Sequence, residues 1–422
     1  MRLSRRAFGA LSLGALGGLM LPRRLAAGTG NDRKFLFVYC VGGWDPTYVY
    51  GPMFGSDGVD MEAEGVLASA GGLDFTDAPS RPNVRAFLEA NASRTAFVNG
   101  MEIRSVTHER CRRILFTGSS GAAADDWPAI AAGNSAGYLL PSLVLSGPSY
   151  TESYGGTVVR VGANGQLGPL LDASAFEYAE PRLRGLPTEV DDIVSARVRA
   201  RVSSRAATAP AGRAQSFLAA YGEALDQSAL VAAIAGEVDL TPPDSGGCSR
   251  VKDLIGPGIT CLERGYSRCV VIQHGGFCDL GWDSHSGIQQ QSTNFDLLFD
   301  DLAAIFRELD SRIGTSGRPL AEEVTVVVVS EMGRTPKLNA TGGKDHWTWT
   351  SAMLVGAGIT GGRVIGGYDE GLNGRPVDLS TGDVTETGAT LTSAHLGATL
   401  LAMADLDPGA FLEEDPIAAL LG

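Results

Sequence analysis

Five histidines occur in the 422-residue chain: His108, His274, His285, His346 and His395. Three have an acid within two positions, Glu109 beside His108, Asp283 ahead of His285 and Asp345 beside His346. With 48 acids in the chain, adjacency alone decides little. Placement says more. Asp45, His285, Glu331 and His346 each fall in a loop just after a predicted strand or just before the next one. In a parallel sheet those loops converge on one edge, which gathers carboxylates and imidazoles from distant parts of the chain. Mixed Asp, Glu and His ligation suits zinc, manganese or another borderline divalent ion. Such an ion activates water and polarises a phosphoryl-type or sulfuryl-type oxygen. The alternative is a set of hydrogen-bonded polar residues on surface loops. His395 falls in the closing helix and reads as structural, whereas His274 follows a strand and reads as core or as support for the site.

Other chemistries find little footing. No G-x-S-x-G elbow occurs, which argues against an ordinary α/β-hydrolase serine. Neither a phosphate loop nor a dinucleotide-binding G-x-G-x-x-G follows the first strand. The glycine-rich stretch 356–362 comes after a late strand and reads as a turn.

The elements that must position these residues alternate. The run from Phe35 to Val41 is continuously apolar and predicts a buried strand of a parallel sheet. It stops at Gly42-Gly43-Trp44-Asp45, and residues 51–82 read as an insertion or long loop. Thr95 to Asn99 is a second strand, after which Thr107 caps a helix with inward positions Cys111, Ile114, Leu115 and Gly118. A further helix starts near Asp125-Asp126-Trp127, and Leu139 to Leu145 returns to strand character. Residues 190–205 and 214–235 are Ala-rich and helical, and 240–247 is a linker. The last third predicts strands at 268–273, 324–329 and 352–355 and helices at 289–309 and 391–403. The run Val324 to Val329 is β-branched throughout and must be central. This alternation implies a mostly parallel sheet with helices on both faces.

Four segments appear in order: Gly42-Gly43-Trp44-Asp45, Gly281-Trp282-Asp283-Ser284-His285, Ser330-Glu331-Met332-Gly333-Arg334-Thr335-Pro336 and Gly342-Gly343-Lys344-Asp345-His346-Trp347. Together they resemble the bacterial domain-of-unknown-function family fifteen-oh-one, grouped with the alkaline phosphatase and sulfatase superfamily. The resemblance implies that Asp45 is a metal-binding aspartate, that Asp283 and His285 form a later metal segment, and that His346 is the final metal histidine. Ser330-Glu331-Met332 resembles the strand-end Thr/Ser-x-Asp-His of phosphatases, with Glu331 in place of aspartate and Met332 in place of histidine. His108, next to Thr107, falls at the nucleophile position. Cys111-Arg112-Arg113 is not the Cys-x-Pro-x-Arg of formylglycine sulfatases.

Residues 1–27 read as a twin-arginine signal: Ser4-Arg5-Arg6-Ala7-Phe8 precedes an apolar run ending at Pro22, too short to cross a bilayer. An uncut N-terminal tether is the alternative. Removing its five arginines from the 34 basic residues leaves 29 against 48 acids, a net of −19. That balance argues against nucleic-acid or anionic-membrane partners, and no later segment reads as a membrane span. Six cysteines without a CxxC pair exclude a zinc ribbon. A disulfide among Cys248, Cys261, Cys269 and Cys278 suits an oxidising compartment, with small buried hydrophobes as the alternative.

The sequence therefore predicts a three-layer α/β/α sandwich with a mostly parallel central sheet, alkaline-phosphatase-like, over residues 33–410, with a helical insertion at about 180–245. The implied function is a metal-dependent hydrolase of phosphate or sulfate esters in the periplasm or outside the cell. Asp45, Asp283, His285, Glu331, Asp345 and His346 are the candidate ligands for one or two divalent ions, zinc first, manganese or calcium otherwise. Thr107 or His108 would be the nucleophile or position water, and Arg334 would pair with the substrate anion. The expected partners are a small anionic ester and, during export, the twin-arginine translocase. Met332 and His108 favour a second reading, an exported binding protein that keeps the fold without catalysis.

Overall fold

A computed structural model of the chain describes residues 33–161, 188–210 and 248–422, with scattered positions between 212 and 238. The signal segment and the linker at 240–247 lie outside the described residues. The first half contains β1 (Lys34–Cys40), β2 (Val66–Ala70), β3 (Leu73–Asp77), α1 (Pro82–Asn91), β4 (Thr95–Glu102), α2 (His108–Thr117), α3 (Trp127–Gly133), β5 (Ser142–Val144), β6 (Val158–Arg160) and α4 (Thr188–Thr208). The second contains α5 (Gly256–Glu263), β7 (Cys269–His274), α6 (Gln290–Ser311), β8 (Val324–Ser330), β9 (Gly333–Arg334), β10 (His346–Trp347), β11 (Trp349–Gly356), β12 (Arg363–Gly366) and α7 (Ser393–Met403).

Eight strands make one sheet in the order β12-β4-β11-β8-β1-β7-β5-β6. All neighbours are parallel except β11, which runs antiparallel between β8 and β4. Every residue of β1 and β8 is buried, as strands covered on both faces require. Alternation along β1 divides the core. Leu36, Val38 and Cys40 meet α1, α5 and α6, whereas Phe35, Phe37 and Tyr39 meet α2, α3 and α7. The result is a three-layer α/β/α sandwich.

Residues 51–82, read as a loop, hold the hairpin β2–β3. Gly71 and Gly72, with φ of +52° and +91°, supply the left-handed backbone that this two-residue turn needs. α4 covers one of the two predicted Ala-rich helices; most of the second lies outside the described residues. Cys248 and Cys278 form a disulfide, while Cys40, Cys111, Cys261 and Cys269 are free and buried.

The carboxyl ends of β1, β4, β7 and β8 share one edge, and antiparallel β11 begins there. Loops carrying Asp45, His108, Asp283, Glu331 and His346 therefore meet. Gly42 marks the contact: its φ is +119°, and a Cβ there would lie 2.6 Å from the Asp283 nitrogen. Only glycine lets the β1 loop lie against the β7 loop so closely.

Candidate metal centre

Three imidazoles approach one carboxylate at this edge. His108 is the first residue of α2; Asp283 and His285 follow β7; His346 opens β10, paired with Arg334 of β9. Ligand atoms of His108, Asp283 and His346 all lie within 4.8 Å of one another. His108 Nε2 is 3.3 Å from Asp283 Oδ2, and His346 Nε2 is 3.3 Å from Asp283 Oδ1. His285 Nε2 is 3.2 Å from Asp283 Oδ1 and 2.9 Å from His346 Nε2. These residues are partly open to solvent, His285 by 47% and Asp283 by 39% of the side chain.

The opposite ring nitrogens are each occupied by an acceptor. His108 Nδ1 lies 3.0 Å from Glu331 Oε1, His285 Nδ1 2.8 Å from Asp345 Oδ1 and His346 Nδ1 2.7 Å from the Val106 carbonyl oxygen. A carbonyl or an ionised carboxylate only accepts, so Nδ1 of His285 and His346 must carry the hydrogen. When those rings are neutral, both Nε2 atoms present lone pairs to each other at 2.9 Å. Lone pairs that close repel unless a proton or a cation lies between them. Imidazoles fixed through Nδ1 by carboxylates and carbonyls, with Nε2 converging, are the arrangement that metal-binding histidines adopt. The donor set fits a borderline divalent ion.

Electrostatics follow from the same contacts. Hydrogen bonds to Asp283 and Glu331 raise the His108 pKa to about 9 in the metal-free chain. Partial burial pushes the Asp283 carboxyl up, but His108 and Arg334 outweigh it and hold the group well below the usual carboxylate range. The hydrogen bond from His285 lowers Asp345, and burial lowers His346.

The remaining predicted residues divide by what they touch. Glu331 is fully buried behind the His108 ring and accepts the Gly42 amide at 2.9 and 3.1 Å, so its oxygens face protein donors. Asp345 lies behind the His285 ring but is open to solvent. Asp45 is engaged by donors of the protein itself. Its Oδ2 accepts from the buried Lys344 ammonium at 2.7 Å, and its Oδ1 accepts from Thr47 N and Oγ1 at 3.0 and 2.7 Å.

Arg334, expected to face a substrate anion, is buried. It donates to the Gly43 carbonyl at 2.8 Å, to the Gly42, Trp282 and Lys344 carbonyls, and to Asp283 Oδ1 at 2.7 Å. Its guanidinium is spent on four backbone carbonyls and on Asp283. Thr107 occupies the N-cap position of α2 in extended backbone, exposed, with its hydroxyl not used as a cap. Met332 is packed in the core.

Two contributors had no distinct signal in the sequence. The Val106 carbonyl is a backbone group at an exposed valine. Gln291, on the buried face of α6, donates to the Trp282 carbonyl at 2.7 Å and Ser284 Oγ at 2.9 Å, and so steadies the segment around Asp283. Lys344 did have one: a lysine between a glycine pair and two candidate ligands has few reasons to be there except to neutralise an acid.

Residues 260–412 match the family described as protein of unknown function, DUF1501. That stretch holds Asp283, His285, Glu331, Arg334, Asp345 and His346, and leaves out Asp45, Thr107 and His108. No curated protein matches the chain. Among solved structures it is similar to the PsFucS1 sulfatase from Pseudoalteromonas sp., at 10% identity and a TM-score of 0.37, covering 100% of this chain and 77% of that one. A protein in complex with its substrate D-glucosamine-2-N,6-O-disulfate is similar at 9% identity and a TM-score of 0.35, with 91% and 81% covered. The Ps i-CgsB protein in complex with a neocarrahexaose is similar at 10% identity and a TM-score of 0.34, with 91% and 75% covered. The architecture rests on the strand order and layers of the chain itself.

Proposed function

We propose that the chain is an exported, metal-dependent hydrolase of phosphate or sulfate esters, with one divalent ion held by His108, Asp283, His285 and His346. The observation that carries the metal reading is the convergence of Nε2 atoms whose rings are fixed from behind by Glu331, Asp345 and the Val106 carbonyl. Three imidazoles favour zinc, or manganese after it, over calcium, which prefers oxygen ligands. When bound, such an ion supplies Lewis-acid polarisation of an ester oxygen and a lowered water pKa.

The chain's own residues have distinct parts. Arg334 and Gln291 hold the Asp283 segment, and Glu331 holds His108. His108 serves as a ligand in this reading, which leaves the free hydroxyl of Thr107, at the α2 N-terminus, as the candidate nucleophile or water-positioning group. The superfamily resemblance supports ester hydrolysis at this edge. The commitment of Arg334 to internal acceptors favours the second reading, an exported protein that binds a ligand at the metal without turning it over.

Export is supported by the Cys248–Cys278 disulfide, a bond that persists in oxidising compartments. No helix among the described residues is long and apolar enough to cross a membrane. Lysine at both Arg5 and Arg6 should retain the protein in the cytoplasm, and unchanged export would contradict the twin-arginine reading.

The test of catalysis is turnover of an aryl phosphate and an aryl sulfate by zinc-loaded protein. Thr107→Ala should lower it by at least about 100-fold. Bound metal with no turnover of either ester would select the binding-protein reading.

A further inference from the structure

The loop between β9 and β10 is folded around one side chain. Asn339, half-buried, accepts from Thr341 N at 3.0 Å and Gly343 N at 3.1 Å. Its amide nitrogen donates to the His285 carbonyl at 2.9 Å and to Asp345 Oδ1 at 3.1 Å. Both amide hydrogens are thereby used, one on the backbone of an imidazole-bearing residue and one on the carboxylate behind its ring. Thr341 Oγ1 adds a second donor to the same carbonyl at 2.6 Å. Gly343 presses the loop onto this segment so closely that a Cβ there would lie 2.2 Å from the His285 carbonyl carbon.

We infer that Asn339 is a positioning residue of the metal centre, which sets the His285–Asp345 pair and through it the affinity for the ion. The inference rests on the reading of His108, Asp283, His285 and His346 as a metal site. Asp345 is 57% exposed, and an exposed carboxylate samples several rotamers unless something holds it. The Asn339 donor is the neighbouring group that fixes the Asp345 oxygen at the His285 Nδ1 position.

Asparagine-to-aspartate exchange separates the two parts of the side chain. Asn339→Asp keeps the oxygen that folds the turn, removes the donor and places a second negative charge beside Asp345. Zinc affinity of the chelator-stripped full chain, measured by calorimetry, should fall about 10- to 100-fold, the scale for losing a partner that orients a ligand. Cobalt loaded in place of zinc should show shifted visible bands, because His285 is no longer held in one orientation. The melting temperature of the metal-free chain should fall only slightly, as the loss of hydrogen bonds in an exposed loop implies. Asn339→Ser gives the same comparison without an added charge, so a misfolded aspartate variant does not end the test. Combined with Asp345→Ala, the Asn339 change should add little further loss, since both act through one ring.

Wild-type affinity and an unchanged cobalt spectrum in both variants would overturn the inference. So would an affinity loss matched by an equal loss of metal-free stability, which marks a purely structural role. If the wild-type chain itself takes up neither zinc nor cobalt, the metal reading fails and this inference falls with it.

Discussion

Glu331 Oε1 lies 3.0 Å from His108 Nδ1 while the same carboxylate accepts the Gly42 amide, so one buried group after β8 ties the β1 loop to the first residue of α2. Its two oxygens are matched to protein donors. Glu331→Gln preserves volume but replaces one oxygen with an NH2 group that must face either the Gly42 N–H or the His108 ring N–H, donor against donor. Zinc affinity measured by calorimetry should fall about 10- to 100-fold. Unchanged affinity would show that His108 does not depend on this carboxylate.

Lys344 and Asp45 form a second buried pair, 1% and 0% exposed. Removing one partner strands a charge in the core. Lys344→Met should destabilise the chain by about 3–5 kcal/mol in urea unfolding, and the double change with Asp45→Asn should recover much of that loss. A single variant as stable as the wild type would mean that the pair is not closed in solution.

His274 links stability to pH. Burial, with Arg250 nearby, lowers its pKa to about 3. Its Nδ1 accepts from the Trp282 indole and the Gly276 amide, both at 3.2 Å, which the neutral ring allows. The unfolded histidine titrates near about 6.5. Between the two values the unfolded chain binds more protons, so this contribution is whole above about 6.5 and is lost as pH falls toward 3. The limiting slope is about 1.4 kcal/mol per pH unit. Burial raises the neighbouring Asp301 to about 6, which acts in the opposite direction at lower pH. Between pH 6.5 and 5 the wild type should therefore lose about 2 kcal/mol relative to His274→Gln. Denaturation midpoints measured across that window check it, and parallel curves for the two proteins would contradict it.

The sequence made the frame legible and the division of labour among the acids much less so. The run Val324 to Val329 and the apolar opening from Phe35 are strands whichever tertiary structure surrounds them, and they occupy the centre of the sheet. The helix predicted at 289–309 is observed as Gln290–Ser311. The antiparallel direction of β11 was not legible, because direction is set by pairing with β8 and β4 rather than by composition. Nor did spacing say which way each carboxylate points. Asp283 and Asp345 both stand within two positions of a histidine, yet one meets Nε2 atoms and the other an Nδ1 atom. Asp45 reads as a ligand from where β1 ends, and its partner Lys344 stands 299 residues away in the chain. The superfamily resemblance puts His108 at a nucleophile position, and the same helix start brings its ring to Glu331 and Asp283.

Three histidines and one aspartate at the sheet edge are proposed to hold a divalent ion. Elemental analysis of the purified full chain, after dialysis against zinc and then metal-free buffer, measures whether they do. About one zinc per chain is expected, absent from a variant with alanine at both His108 and His346. A wild-type chain without metal, or a double variant that keeps its ion, would contradict that proposal.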